Sequence, residues 1–290
     1  MSRVLCAGHV NWDVTLQVDR LPDHDGEARI VDQCQSGGGS ASNVAVLLAG
    51  LDIETALLGS VGADEHGWLA SRELDDVGVE TVLVEAEGAT AVKYLVVDAD
   101  GEVMVLGNDG ANESFTVSDL DDGALDATEQ VHLTSQRPAT AATLARQAQS
   151  ADCLVSFDPG RRLDQRAYDP VLDHVDCLFV NDREADLAAD AGLLDGIDRV
   201  VVKHGAGGAE VRTADGVTHH AGFAVDPVDT TGAGDAFAAG YIAVSQAADD
   251  ERTALAVGNA CGALAARTTG ARLDAGWRDV EALLDIGASE

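Results

Sequence analysis

Short apolar runs of β type alternate with longer stretches in helical register along this chain. Val4–Val10 and Thr55–Val61 read as strands, whereas Ala41–Ala49 and His66–Val77 read as helices. Further buried-type strands are expected at Val131–Thr134, Cys153–Phe157, Cys177–Val180 and Val200–Val202. Such alternation predicts an α/β protein with a mostly parallel sheet and covering helices. Two segments break it, residues 11–33 and 88–107, which have hairpin character. The second runs Ala91–Val97, a turn signal at Asp98-Ala99-Asp100-Gly101, then Glu102–Leu106. They are expected to form a small sheet outside the main one. No internal repeat or Pro/Ser-rich linker marks a domain boundary, so residues 1–290 read as one unit.

Charge changes the picture more than length does. With 51 acidic against 18 basic residues the formal charge is −33, and the acids are dispersed along the whole chain. That sign argues against a nucleic-acid partner. Lys93 and Lys203 are the only lysines, so the surface is almost stripped of ammonium groups. We expect a halophilic, archaeon-like source, because molar salt screens such a charge density over about 3 Å and dilute buffer does not. Hydrophobic residues at 46% suffice for a large core. Five scattered cysteines without a CxxC pair indicate neither a disulfide framework nor a zinc site. No charged leader or run of about 18 apolar residues is present, which points to the cytoplasm and away from a membrane.

Three polar clusters directly follow buried-type strands: Asp158-Pro159-Gly160-Arg161-Arg162, Asn181-Asp182-Arg183-Glu184 and Lys203-His204-Gly205. In open α/β sheets, ligands bind beyond the carboxyl ends of strands, so these clusters are expected on one rim. The strongest chemical signal is Asp229-Thr230-Thr231-Gly232-Ala233-Gly234-Asp235, which opens an apolar helical stretch. Backbone N–H groups at Gly232, Ala233 and Gly234 can meet an anion there, aided by the helix dipole. Asp235 is expected to stay ionised at neutral pH and to take a proton from an alcohol in line with a bound phosphoryl group. Read structurally, the same residues are a tight turn and a helix N-cap.

A second signal is Ser36-Gly37-Gly38-Gly39-Ser40-Ala41-Ser42-Asn43. Adjacent glycines allow close backbone approach to a ligand, and Asn43 offers both donor and acceptor to hydroxyls, as a polyol requires. Asp13 is a third candidate, as a carboxylate that can bind two sugar hydroxyls; it is otherwise one solvated acid among 51.

In combination these motifs resemble the PfkB, or ribokinase-like, family of carbohydrate kinases, over essentially the whole chain. Asp229–Phe237 is similar to the family's C-terminal signature and Gly37–Asn43, with Gly38 and Gly39, to its N-terminal one. The resemblance implies a three-layer fold with helices on both faces of the sheet, the irregular β segments forming a lid that often makes a dimer contact. Asn181 and Glu184 match an Asn-x-x-Glu element, which implies a role in placing Mg²⁺, indirectly, and the phosphates of ATP. Lys203 and Gly205 would contact the nucleotide, Phe223 to Val228 would line the base pocket, and Asn259 would reach the adenine side. Asp229 and Thr231 would supply oxygens to a monovalent cation such as K⁺.

The acceptor is less legible. Where several sugar kinases of the family carry a carboxylate for a free sugar hydroxyl, this chain has Gln136 and Arg137. Lys93, Arg137, Arg161 and Arg162 can surround an anionic substituent, because guanidinium groups suit phosphate; alternatively the arginines pair with acids. A small sugar or sugar phosphate is therefore expected, the pentose class favoured, ribose 1-phosphate for example, with fructose 1-phosphate, ribose or 2-keto-3-deoxygluconate also within the set. A nucleoside kinase shares every motif but needs an apolar slot beside Asp13 and Asn43. A non-catalytic binding protein on this scaffold would lack Asp235. A dinucleotide enzyme would need Gly-x-Gly-x-x-Gly where Gly8-His9-Val10-Asn11 stands.

Overall fold

The structure, a computed structural model, describes residues 3–22, 24–100, 102–245 and 250–287. Among them, a nine-stranded sheet runs in the order β13 (Gly216–His220), β12 (Ala209–Thr213), β11 (Arg199–Lys203), β10 (Cys177–Asn181), β9 (Leu154–Asp158), β8 (Gln130–Thr134), β1 (Arg3–Ala7), β4 (Glu54–Gly62), β5 (Glu80–Ala86). All neighbours pair in parallel except β11–β12 and β12–β13.

Side chains alternate across this sheet, as the strand period demands. Val4 and Cys6 of β1 enter one core with Leu57 and Phe179, while Leu5 and Ala7 enter the other with Leu58 and Leu178. The first core is covered by α1 (Ser40–Gly50), α2 (Glu65–Asp76), α6 (Ala233–Ser245), α7 (Glu251–Ala266) and α8 (Trp277–Gly287). The second lies under α3 (Pro138–Ser150), α4 (Asp169–Leu172) and α5 (Asp182–Asp190). The result is the three-layer α/β arrangement expected. Burial on both faces explains why strands such as Val200–Val202 are continuously apolar. α1 and α6 are apolar around most of their circumference, and residues 41–48 and 236–242 are all buried.

The irregular segments form a second sheet of four strands, ordered β3 (Ile30–Gly38), β2 (Asn11–Val18), β6 (Ala91–Val97), β7 (Val103–Gly107). The β6–β7 hairpin matches its sequence, with Asp98 N–H donating to Glu102 O at 3.1 Å; Gly101 of the turn signal lies outside the described residues. The β2–β3 hairpin runs five residues past the expected end, so Gly37 and Gly38 are strand rather than loop. Among the described residues the chain crosses between the sheets four times, at Gly8, Gly39, Gly88 and Gly110, all with positive φ. At Gly39 a Cβ would strike His9 O, and at Gly110 it would lie 2.5 Å from Ala91 N, so backbone packs on backbone there.

Candidate active site

Chain order along the large sheet reverses beside β1, between β4 on one side and β8 on the other. The carboxyl ends at such a switch point form the crevice where α/β proteins bind ligands. Asp158, Asn181 and Lys203 end β9, β10 and β11 on this rim, and Gln136 follows β8.

Asp13 on β2 is register partner to Lys93 on β6, and Gly38 leaves the space that the Asp13 carboxylate occupies. Asp13 is 5% exposed and its Oδ1 is unpartnered. Burial pushes its pKa up, opposed by the charges of Lys93 and Arg272. Asn43, in the first turns of α1, donates from Nδ2 to Asp235 Oδ2 at 2.8 Å, while its own buried Oδ1 also lacks a partner. Two buried acceptors without donors are poised for hydroxyl groups.

Asp235 stands in the first turn of α6. Burial raises its pKa and Asp158 adds to this, against the Asn43 bond and the charges of Lys203 and Lys93. The carboxylate is therefore a stronger base than the sequence alone suggested. Gly232, at φ 76°, precedes the helix, and a Cβ there would collide with Ala271 O. Ala233 N–H turns back to Thr230 O at 3.2 Å, which leaves Gly232 and Gly234 as the loop amides better placed for an anion.

Beside this loop, Lys203 Nζ lies 3.4 Å from where Gly234 would carry a Cβ and 2.6 Å from Asp158 Oδ2. Burial lowers the Lys203 pKa, but the Asp158 charge and hydrogen bond more than offset it, so the ammonium is retained. Glu184 is 2% exposed and forms a capping box with Asn181 at the start of α5, with bonds of 3.0 and 2.9 Å. Burial and the Asp158 charge raise its pKa. Among the described residues no three His, Cys, Asp or Glu side chains are grouped to hold a metal ion. The Glu184 carboxylate is a hard oxygen donor, the chemistry that suits Mg²⁺ alongside phosphates and water.

Asp229 accepts from Thr231 N at 2.9 Å and from Gly270 N at 3.0 Å, one bond per oxygen. Each oxygen keeps a lone pair for a cation. Asn259 Nδ2, expected on the adenine side, donates to His220 O at 3.3 Å, and His220 packs on Phe223 with centroids 5.4 Å apart. Gly205 opens a single turn after β11. Val228, expected to line a base pocket, is 67% exposed and so is not buried in one.

The four cations expected around the acceptor are not assembled as one group. Lys93 faces the cleft, Arg137 and Arg161 are exposed, and Arg162 is bound to Asp109 at 2.6 Å and Glu113 at 3.1 Å. Gln136 is fully buried, donating to Ala7 O at 3.0 Å with its Oε1 unpartnered.

Residues 1–277 match the model of the pfkB family carbohydrate kinases. The chain belongs to this family. It is 57% identical to the ATP-dependent ribose-1-phosphate kinase of Halopiger xanaduensis over 279 residues, 94% of each chain. Fructokinase-2 of Zea mays is 32% identical over 88% of this chain and 87% of its own. In fold, the chain resembles the crystal structure of Methanocaldococcus jannaschii nucleoside kinase (24% identity, TM-score 0.84, 99% of both chains). It likewise resembles Thermotoga maritima ribokinase (22% identity, TM-score 0.87, 98% and 99%). As a PfkB kinase, the protein is a phosphotransferase with a hydroxyl acceptor.

Within this PfkB site the sequence reading missed Arg272. Its guanidinium packs flat against Gly37, where a Cβ would come within 2.5 Å of Nη1, and donates to Glu73 at 2.6 Å and Ser42 at 2.6 Å. It braces Gly37 and the start of α1 from the loop between α7 and α8. An arginine in an unremarkable segment carries no sequence signal for that.

Proposed function

We propose that the protein transfers the γ-phosphoryl group of ATP to the primary hydroxyl of ribose 1-phosphate. The observation that carries this reading is the 2.8 Å bond between Asn43 and Asp235, which joins the polyol-binding wall to the anion loop so that one small molecule can touch both. The high identity to a ribose-1-phosphate kinase supports the choice of acceptor. Asp13 and Asn43 bind the sugar hydroxyls, and Lys93 offsets the Asp13 charge. Asp235 accepts the hydroxyl proton as the oxygen attacks phosphorus. Gly232 and Gly234 N–H groups, with Lys203, stabilise the charge on the migrating group. Mg²⁺ neutralises nucleotide phosphate charge when bound, and Glu184 with Asn181 would help place it. Asp229 and Thr231 would hold K⁺ beside the anion loop.

We read the whole chain as one cytoplasmic kinase unit adapted to high salt, with the four-stranded sheet as a lid. Ile30, Val31, Tyr94, Val103, Val105 and Leu106 of that sheet are exposed, a surface suited to pairing two copies.

An ADP-release assay in about 2–3 M KCl, comparing ribose 1-phosphate, ribose, fructose 1-phosphate and adenosine, tests the acceptor. Ribose 1-phosphate should give the highest kcat/KM. Preference for adenosine would replace this reading with the nucleoside kinase one.

A further inference from the structure

We propose that Arg162 and Arg166, pre-organised by Glu113 and His9, bind the phosphate of the acceptor. This rests on the reading that the acceptor is a sugar phosphate, and it adds the site that recognises that phosphate.

Three donors converge on one oxygen. Glu113 Oε1 lies 2.8 Å from His9 Nε2, 3.1 Å from Arg162 Nη1 and 2.9 Å from Arg166 Nη1. A carboxylate oxygen has two lone pairs, so one donor is surplus. The surplus falls on Arg166: its Nη1 is buried and, though ion-paired, has no aligned hydrogen-bond partner. A buried donor of this kind calls for a second acceptor.

Neighbouring contacts place the cluster at the acceptor cleft. Asn112, beside Glu113, donates to Asn11 Oδ1 at 2.7 Å and accepts from Val10 N at 3.2 Å. Asn11 and Asp13 lie two residues apart on β2, hence on one face and roughly 7 Å apart. His9 abuts Gly39 at the start of α1. Glu113 is itself held at φ 62°, a conformation that a non-glycine residue keeps where its surroundings impose it.

Charge leaves room for an anion. Arg162 Nη2 is occupied by Asp109, whose side chain is 79% exposed. A solvent-exposed partner of this kind is weakly held, so phosphate can displace Asp109 while Glu113 keeps both guanidinium groups in place. Planar guanidinium groups then meet phosphate oxygens through paired N–H donors.

The test uses the full-length enzyme in about 2 M KCl with Arg162→Met and Arg166→Met. KM for ribose 1-phosphate should rise about 100-fold in each, with KM for ATP within about threefold of wild type. Inorganic phosphate should compete with ribose 1-phosphate in the wild type and lose that effect in Arg166→Met. Should Arg166→Met not fold, Arg162→Met and Arg166→Lys carry the same readouts. Unchanged KM for ribose 1-phosphate, or equal losses toward ATP and acceptor, would overturn the subsite and leave the acceptor reading intact. A wild type that ignores ribose 1-phosphate would overturn both.

Discussion

Asn43 Nδ2 donates to Asp235 Oδ2 across 2.8 Å, between residues 192 positions apart in the chain. The bond connects the start of α1 to the start of α6, and it joins the proposed base to the proposed acceptor wall. Replacing Asp235 by Asn removes the proton acceptor and keeps the shape. Turnover should fall at least about 100-fold while ATP binding, followed by calorimetry, stays nearly unchanged. A near-normal rate would end the general-base assignment.

The same carboxylate governs pH dependence. Burial, reinforced by Asp158, raises the Asp235 pKa, so the acid limb of kcat should lie above the ordinary aspartate range. The Asn43 bond favours the ionised form, hence Asn43→Ala should move that limb to still higher pH. For stability the sign is the reverse of the usual aspartate case. The native state binds this proton more tightly than the unfolded chain, so the Asp235 contribution declines as pH rises from the ordinary carboxylate range through the raised pKa. Asp235→Asn should therefore melt at or above the wild-type temperature at neutral pH. Lower melting would contradict the desolvated carboxylate.

Lys203 balances Asp158 at 2.6 Å, with both side chains about 15% exposed or less. Lys203→Met leaves Asp158 uncompensated near Glu184, which should cost about 3–5 kcal/mol in denaturant unfolding. KM for ATP should also rise. Loss of under about 1 kcal/mol would show that the pair behaves as a surface salt bridge.

A net charge of −33 should make the fold dependent on salt. Circular dichroism across a KCl series should show the melting temperature falling as ionic strength drops toward about 50 mM, where screening extends beyond 10 Å. Unchanged structure and melting there would reject halophilic adaptation.

Much of this arrangement was legible in the chain itself. Strands buried on both faces, such as Val200–Val202, must be continuously apolar, and their polar followers mark the rim. The glycine runs at Gly37–Gly39 and Gly232–Gly234 showed where backbone had to come close. β5 and β13 were not read, because they are edge strands with mostly half-exposed or exposed residues and mixed polarity. Arg272 was invisible for another reason: it acts through Glu73 and Ser42, 199 and 230 residues away, and such distant pairings leave no local pattern. The Glu113 cluster is of the same kind, joining His9 and Arg162 across 104 and 49 residues.

The seams at Gly39 and Gly110 tie the two sheets by main-chain atoms, whose chemistry no substitution elsewhere alters. A surface can thus be repainted with acids, residue after residue, without tilting Asp13 relative to Asp235. Change of surface charge and fidelity of phosphoryl transfer are thereby made separable in this molecule.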